Sequence, residues 1–134
     1  MINPKHEILN SKQIQMTKTQ NSKQYNLEER TLKFSQSVIS YIKKLDRNIT
    51  SIEIAKQLIR ATGSIGANYI EANESLSKKD FIMRIKICRK EAKECRYWLV
   101  LTEPRQDNFK QKNELISEVT ELMKIFGSIL EKSK

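Results

Sequence analysis

The residues of this sequence that could do chemistry are few and are poorly placed for catalysis. The only histidine, His6, lies among the first ten residues, so a histidine base or metal ligand would have to act from a terminal segment. A di-iron bundle site needs histidines on facing helices, and a helical ribonuclease of the Arg-x4-His type needs one as well. Both are excluded, and no glycine-rich phosphate loop is present.

The two cysteines are the remaining candidate nucleophiles. Cys88 and Cys95 are seven residues apart in a predicted helix, which separates their Cα atoms by about 10.5 Å and exceeds the ~7 Å limit for a disulfide. Both fall on the apolar stripe of that helix, where a thiol is usually an inert small hydrophobe. We therefore expect a protein that is not an enzyme, with no cofactor and no metal.

A polar stripe follows one face of the second predicted helix. Two glycines, Gly63 and Gly66, lie among small residues beside it, and each costs about 1 kcal/mol relative to alanine in a helix interior, which indicates a packing reason. The stripe is either an interface, solvated or ion-paired, or a ligand site, and the sequence favours the interface. Its members recur at steps of three and four residues: Gln57, Arg60, Ser64, Asn68 and Glu71.

Positive charge is concentrated on the third predicted helix. The chain has 25 Lys plus Arg against 16 Asp plus Glu, a net charge of +9, and residues 78–101 hold eight basic against three acidic residues, a net of +5. Such a helix can bind phosphates through counterion release. The alternative is a solvated face with Asp80–Arg84 and Lys90–Glu94 pairs at four-residue spacing. The four lysines among the candidate nucleic-acid contacts share one face with Tyr97, and the candidates are Lys79, Lys86, Arg89, Lys90, Lys93 and Arg96.

The third predicted helix is also apolar around much of its circumference. Thirteen of the 21 residues from Phe81 to Leu101 are hydrophobic, which is more than one bundle core needs. Surplus apolar surface indicates a partner, and the default partner of a small bundle is another copy of the same chain.

Two amphipathic helices are predicted in the first half of the chain. Apolar residues at spacings of three, four and seven predict a first helix from Leu27 to about Asp46. Thr50 followed by Glu53 has the spacing of a capping box and predicts the start of the second helix, which loses its apolar pattern after Ala72.

Two more helices are predicted in the second half. Ser77 followed by Asp80 repeats the capping pattern and opens the third helix, and Pro104 marks its end because proline is excluded from a helix interior. The clearest apolar stripe of the chain, from Leu115 to Leu130, predicts the fourth helix.

Length and composition then define the architecture. A chain of 134 residues with 3 Gly and 2 Pro fits one helical domain and not an all-β fold. We predict a disordered polar leader over residues 1–24 and an all-α, antiparallel up-down-up-down four-helix bundle over residues 25–134. No apolar run is long enough to span a membrane, no signal peptide is evident, and the unpaired cysteines favour the cytoplasm.

Two segments of the sequence resemble the bacterial four-helix-bundle protein family: QLIRATGSIGANYIEANESLSKKDF (57–81) and IKICRKEAKECRYWLVL (85–101). That family includes proteins encoded by intervening sequences within 23S rRNA genes and the accessory variability proteins of diversity-generating retroelements. The resemblance covers about residues 25–131, including NLEERTLKF (26–34) and ELMKIFGSIL (121–130). The positions that match the family's polar motif are Gln57, Arg60, Ser64, Asn68, Glu71, Lys90, Glu91 and Glu94.

The resemblance implies a four-helix bundle that assembles into a ring-like homopentamer and has no known enzymatic activity. Its retroelement members bind a reverse transcriptase and nucleic acid through basic surfaces. We therefore expect a homo-oligomer that binds RNA, DNA or a nucleoprotein partner such as a reverse transcriptase. The alternative is a structural scaffold that does not bind nucleic acid directly.

Overall fold

The computed structural model describes residues 26–134 as four α-helices, with no β-strand in that range. They are α1 (Leu27–Ile42), α2 (Ile49–Asn73), α3 (Lys78–Leu101) and α4 (Phe109–Lys132), and a short 3-10 turn, Gln106–Asn108, precedes α4. The four predicted helices are confirmed. The predicted leader, residues 1–24, lies outside the described residues.

Contacts between α1 and its two neighbours define the topology. On α2, Asn73 donates from Nδ2 to Glu28 Oε2 at 2.7 Å, and the carbonyl of Thr62 accepts from Ser35 Oγ at 3.1 Å. Residue numbers thus rise along α1 as they fall along α2, so the two helices are antiparallel. On its other side, α1 packs against α4. Because α2 and α4 both also pack on α3, α1 and α3 are diagonal in the bundle.

One apolar stripe from each helix fills the core, as the spacing of hydrophobic residues predicts. Burying these stripes against one another is the main source of helix stability in a bundle. The fully buried members include Val38, Tyr41, Leu58, Ile65, Ile85, Cys88, Cys95, Leu99, Val119, Leu122 and Phe126.

The buried hydroxyl of Tyr41 is satisfied at the end of α3. Thr102 Oγ1 donates to the carbonyl of Leu99 at 2.6 Å, which uses its only proton, so the Tyr41 hydroxyl donates to Thr102 Oγ1 at 2.6 Å. Burial raises the pKa of Tyr41. This contact joins the end of α1 to the end of α3.

The predicted cap of α2 is wrong. The N-cap is Asn48, whose side chain accepts from the Ser51 amide at 2.8 Å, while Ser51 Oγ accepts from the Asn48 amide at 3.1 Å. Ser51 Oγ also donates to the carbonyl of Asp46. This bond holds the preceding loop in the conformation in which Asn48 and Ser51, and not Thr50 and Glu53, cap the helix. The first helix likewise ends at Ile42, earlier than predicted.

The predicted start of α3 is confirmed, because the Asp80 amide donates to Ser77 Oγ at 3.1 Å.

Gly66 explains part of the close packing between α1 and α2. A Cβ atom at this position would lie 3.3 Å from Thr31 Oγ1, and Thr31 is itself buried. A glycine here lets the two helices approach closely.

Candidate nucleic-acid interface

The outward side of α3 carries four lysines that we call the lysine ridge: Lys79, Lys86, Lys90 and Lys93. Their spacing of seven, four and three residues places them on one face, and all four are exposed. From the first to the last the ridge extends about 21 Å at 1.5 Å per residue. Within residues 26–134, none of the four forms an ion pair.

Two of the three acidic residues of α3 are held by α2, away from the lysine ridge. Arg60 of α2 binds Glu91, with Nη1 3.3 Å from Oε1, and also pairs with Glu94. Glu91 is 8% exposed, so it is nearly removed from solvent. The Lys90–Glu94 pair, which the sequence offers as an alternative, is not formed within residues 26–134. Glu94 therefore does not neutralise the positive charge of the lysine ridge.

A second polar cluster joins α2 to α3 nearer to the start of α3. Arg84 Nη1 donates to Asn68 Oδ1 at 2.9 Å, and Asn68 Nδ2 donates to the Ser64 carbonyl at 2.9 Å. Arg84 thus turns toward α2, and the alternative Asp80–Arg84 pair is not found among residues 26–134.

Three of the five polar-stripe residues of α2 therefore lie in the two clusters beside α3. Arg60 forms the first cluster, and Ser64 and Asn68 belong to the second. The other two, Gln57 and Glu71, are exposed and make no side-chain hydrogen bond within the part of the chain that the structure describes. Arg60 and Asn68 bind side chains of α3, and Ser64 accepts from Asn68. Their arrangement is that of a helix interface.

Arg89 and Arg96 form a separate row on the α4 side of α3. Arg96 Nε donates to Thr120 Oγ1 at 3.1 Å, and a Cβ atom on Gly127 would lie 3.8 Å from Arg89 Nε. Both arginines are exposed. The six basic candidates thus form one exposed surface of two adjacent rows, and the spacing of the sequence already places the four lysines together in one of them.

Tyr97 lies at the end of the lysine ridge, one turn beyond Lys93. It is 60% exposed, and its ring meets Trp98 edge-on, with centroids 5.2 Å apart and planes at 79°. An exposed ring beside lysines is a surface on which an unpaired base can stack.

The thiols of Cys88 and Cys95 are buried in the core and are not disulfide-bonded. Burial raises the pKa of each to about 12, and Cys88 Sγ donates to the Ile65 carbonyl at 3.5 Å. A thiol is reactive only as the thiolate, so neither cysteine is available as a nucleophile at neutral pH.

Residues 26–134 thus define a small antiparallel four-helix bundle with a polar α2–α3 interface and a basic outer surface on α3. The sequence matches the 23S rRNA-intervening sequence protein family over residues 23–128, and the chain belongs to this family. This confirms the resemblance of residues 57–101. No helix in the described range is long and apolar enough to cross a membrane.

A solved structure of similar fold supports the assignment. It is the crystal structure of a protein with unknown function from the S23 ribosomal protein family of Bacteroides thetaiotaomicron, with a TM-score of 0.65 and 29% sequence identity. The match covers 77% of this chain and 96% of that one. No curated protein sequence matches this chain significantly.

Proposed function

We propose that this protein is a non-enzymatic homo-oligomer that binds RNA, DNA or a nucleoprotein partner through the basic surface of α3. The observation that carries the proposal is the lysine ridge, which is exposed and unpaired within residues 26–134 because Arg60 holds Glu91 and Glu94. A line of uncompensated lysines about 21 Å long can replace the counterions of several successive phosphates.

A binding role is supported by the state of the candidate nucleophiles. Cys88 and Cys95 are buried, with the pKa of each thiol near 12. Residues 26–134 contain no histidine and no group of three or more His, Cys, Asp or Glu side chains that could hold a metal ion. Three of the five polar-stripe residues of α2, Arg60, Ser64 and Asn68, lie in the polar clusters between α2 and α3.

The proposed assembly is a ring-like pentamer, as the family resemblance implies. A ring would repeat the lysine ridge around its axis, and the summed field of several copies would attract a polyanion more strongly than one copy does. The proposed partners then include a nucleoprotein such as a reverse transcriptase. The reduced cysteines support a cytoplasmic location.

Fluorescence anisotropy with labelled RNA and DNA oligonucleotides tests the nucleic-acid part. The test variant changes Lys86, Lys90 and Lys93 to Glu, and we expect at least a tenfold loss of affinity. The matched control changes three exposed lysines of α4 to Glu, with the same change in net charge: Lys110, Lys124 and Lys132. Equal losses in both variants, or no binding by the wild type, would contradict a specific role for the ridge.

A scaffold that self-associates without binding nucleic acid directly is the second candidate. It is favoured by exposed aliphatic side chains on α1 and α2, among them Leu32, Ile59 and Ile70, which a nucleic-acid surface does not require. This candidate predicts a wild type that assembles but shows no salt-dependent binding of oligonucleotides.

A further inference from the structure

The two arginines of the basic surface are held in place by α4. We call Arg89 and Arg96 the arginine row. They are seven residues apart, so two helical turns separate their Cα atoms by about 10.5 Å. The residues of α4 beside them, Gly127 and Thr120, are also seven residues apart. One antiparallel register of α3 against α4 therefore places both guanidinium groups.

Thr120 holds Arg96 by a hydrogen bond whose direction is defined. Thr120 Oγ1 donates to the carbonyl of Ile116 at 2.7 Å, which uses its only proton. It therefore accepts from Arg96 Nε, which is 3.1 Å away. This bond occupies Nε, and within residues 26–134 the N–H groups of Nη1 and Nη2 make no hydrogen bond. That edge of the guanidinium group is available to an anion.

Gly127 leaves the space in which the guanidinium group of Arg89 lies. A Cβ atom on Gly127 would be 3.8 Å from Nε and 3.9 Å from Cζ of Arg89, which is ordinary van der Waals contact. Alanine would therefore fit at this position, whereas a longer side chain would compete with Arg89 for the same space. Gly63, in contrast, is exposed, and a Cβ atom on it would meet nothing within 4 Å, so no contact within residues 26–134 explains that glycine.

Neither member of the arginine row is neutralised by a carboxylate of the described chain. Within residues 26–134, neither forms an ion pair, and both are exposed. Three other arginines of the same range do pair with a carboxylate: Arg30, Arg60 and Arg105. A guanidinium group that is already ordered and has no anion loses less side-chain entropy when it binds one.

The chemistry of the arginine row fits phosphate groups on a chain. A planar guanidinium group donates two parallel N–H···O bonds to one phosphate, whereas a lysine ammonium acts as a point charge. The arginine row and the lysine ridge lie side by side on one exposed surface. A single small anion would occupy only one of these groups, so the surface fits an extended polyanion with regularly repeated phosphates.

We propose that the arginine row is the phosphate-recognition site of the basic surface. Each guanidinium group binds one phosphodiester of a nucleic-acid backbone through two N–H···O bonds, and Thr120 and Gly127 are positioning residues. The lysine ridge then supplies attraction without a fixed geometry. The inference rests on the nucleic-acid binding in the proposed function and adds the residues that set the position of the backbone.

Exchanges that conserve charge test the site, with anisotropy of a labelled oligonucleotide at constant salt as the measurement. The double variant Arg89→Lys with Arg96→Lys keeps the net charge of +9 but removes both planar groups, and we expect a loss of affinity of about tenfold or more. The matched control is the reverse exchange on the ridge, Lys90→Arg with Lys93→Arg. It should bind within about twofold of the wild type, and both variants should retain the helical circular dichroism spectrum.

Substitutions of Gly127 test the positioning role. Gly127→Leu should fill the space beside Arg89 and weaken binding by about threefold or more, whereas Gly127→Ala should bind like the wild type because its Cβ atom fits. In the Arg89→Lys background, Gly127→Leu should have no further effect on affinity, because the group that it displaces is already absent. A purely structural role would instead give losses that add.

The outcomes separate the arginine row from the proposed function. If the Arg→Lys double variant binds like the wild type, or if both exchanges lose affinity equally, the arginine row is overturned and nucleic-acid binding stands. A wild type that binds polyglutamate as tightly as an oligonucleotide of equal charge would also overturn it, because phosphate would then not be selected. A wild type that binds no oligonucleotide would overturn both. A loss confined to the Arg→Lys exchange supports the proposal.

Discussion

Arg60 of α2 and Glu94 of α3 are ion-paired across the interface between their helices. Glu94 is four residues after Lys90, and without Arg60 it would be in reach to neutralise that lysine. Arg60 also holds Glu91, so one arginine takes up two of the three acidic residues of α3. The contact that joins the two helices therefore also keeps the lysine ridge positive.

Replacing Arg60 should destabilise the fold. Arg60→Met keeps the aliphatic stem but leaves the Glu91 carboxylate, which is 8% exposed, without its cation. We expect the free energy of unfolding to fall by about 1–3 kcal/mol, the usual cost of an unsatisfied buried group. Urea denaturation at a fixed protein concentration measures the change.

The matched control for Arg60 is the exposed pair of Lys33 and Glu29, whose Nζ and Oε1 are 3.2 Å apart on α1. Lys33→Met should change stability by less than about 0.5 kcal/mol, because exposed pairs of this spacing contribute little. Similar effects of the two substitutions would show that the Arg60 network does not stabilise the bundle.

The sequence predicted the helices well because their stripes are regular. Phe34, Val38 and Tyr41 recur at steps of four and three, and all three are buried. The start of α2 was missed because Asn48–Ser51 and Thr50–Glu53 are overlapping frames of similar capping chemistry. The choice between them depends on the loop, where Ser51 also bonds the carbonyl of Asp46.

The partners of the charged residues could not be predicted in the same way. Spacing along one helix suggests pairs such as Lys90–Glu94, but the partner of Glu94 is Arg60, 34 residues away in sequence. Which of these pairs forms depends on the register of α2 against α3, and the core packing sets that register. The exposure of Gly63 is likewise visible only once α1 and α2 are packed together.

The thiols should be unreactive in the native protein. With the pKa of Cys88 and Cys95 near 12, only about one thiol in 10⁴ is ionised at pH 8, and both are fully buried. Ellman's reagent should therefore not label the folded chain faster than the chain unfolds. In guanidinium chloride both cysteines should react at once, and rapid labelling of the native protein would contradict their placement in the core.

The salt dependence of oligonucleotide binding should report the number of ridge lysines that contact phosphates. If all four contribute, the slope of log K against log salt for a single strand should be about −3, since each neutralised phosphate contributes roughly −0.7. Each single Lys→Gln change on the ridge should reduce the slope by about 0.7. Lys124→Gln on α4 is the control and should leave the slope unchanged, and a slope near zero would exclude phosphate binding at this surface.

Tyr97 should distinguish single strands from duplexes. Its exposed ring can stack on an unpaired base, a contact that contributes about 1–3 kcal/mol, whereas the bases of a duplex are already stacked on one another. Tyr97→Leu should therefore weaken binding of a single-stranded oligonucleotide by at least fivefold and leave binding of a duplex of equal length nearly unchanged, as measured by anisotropy at constant salt. The contact with Trp98 is also lost, so circular dichroism must first show that the fold is retained. Equal losses for both ligands would mean that Tyr97 supports the surface without stacking on a base, because only stacking depends on whether the bases are paired.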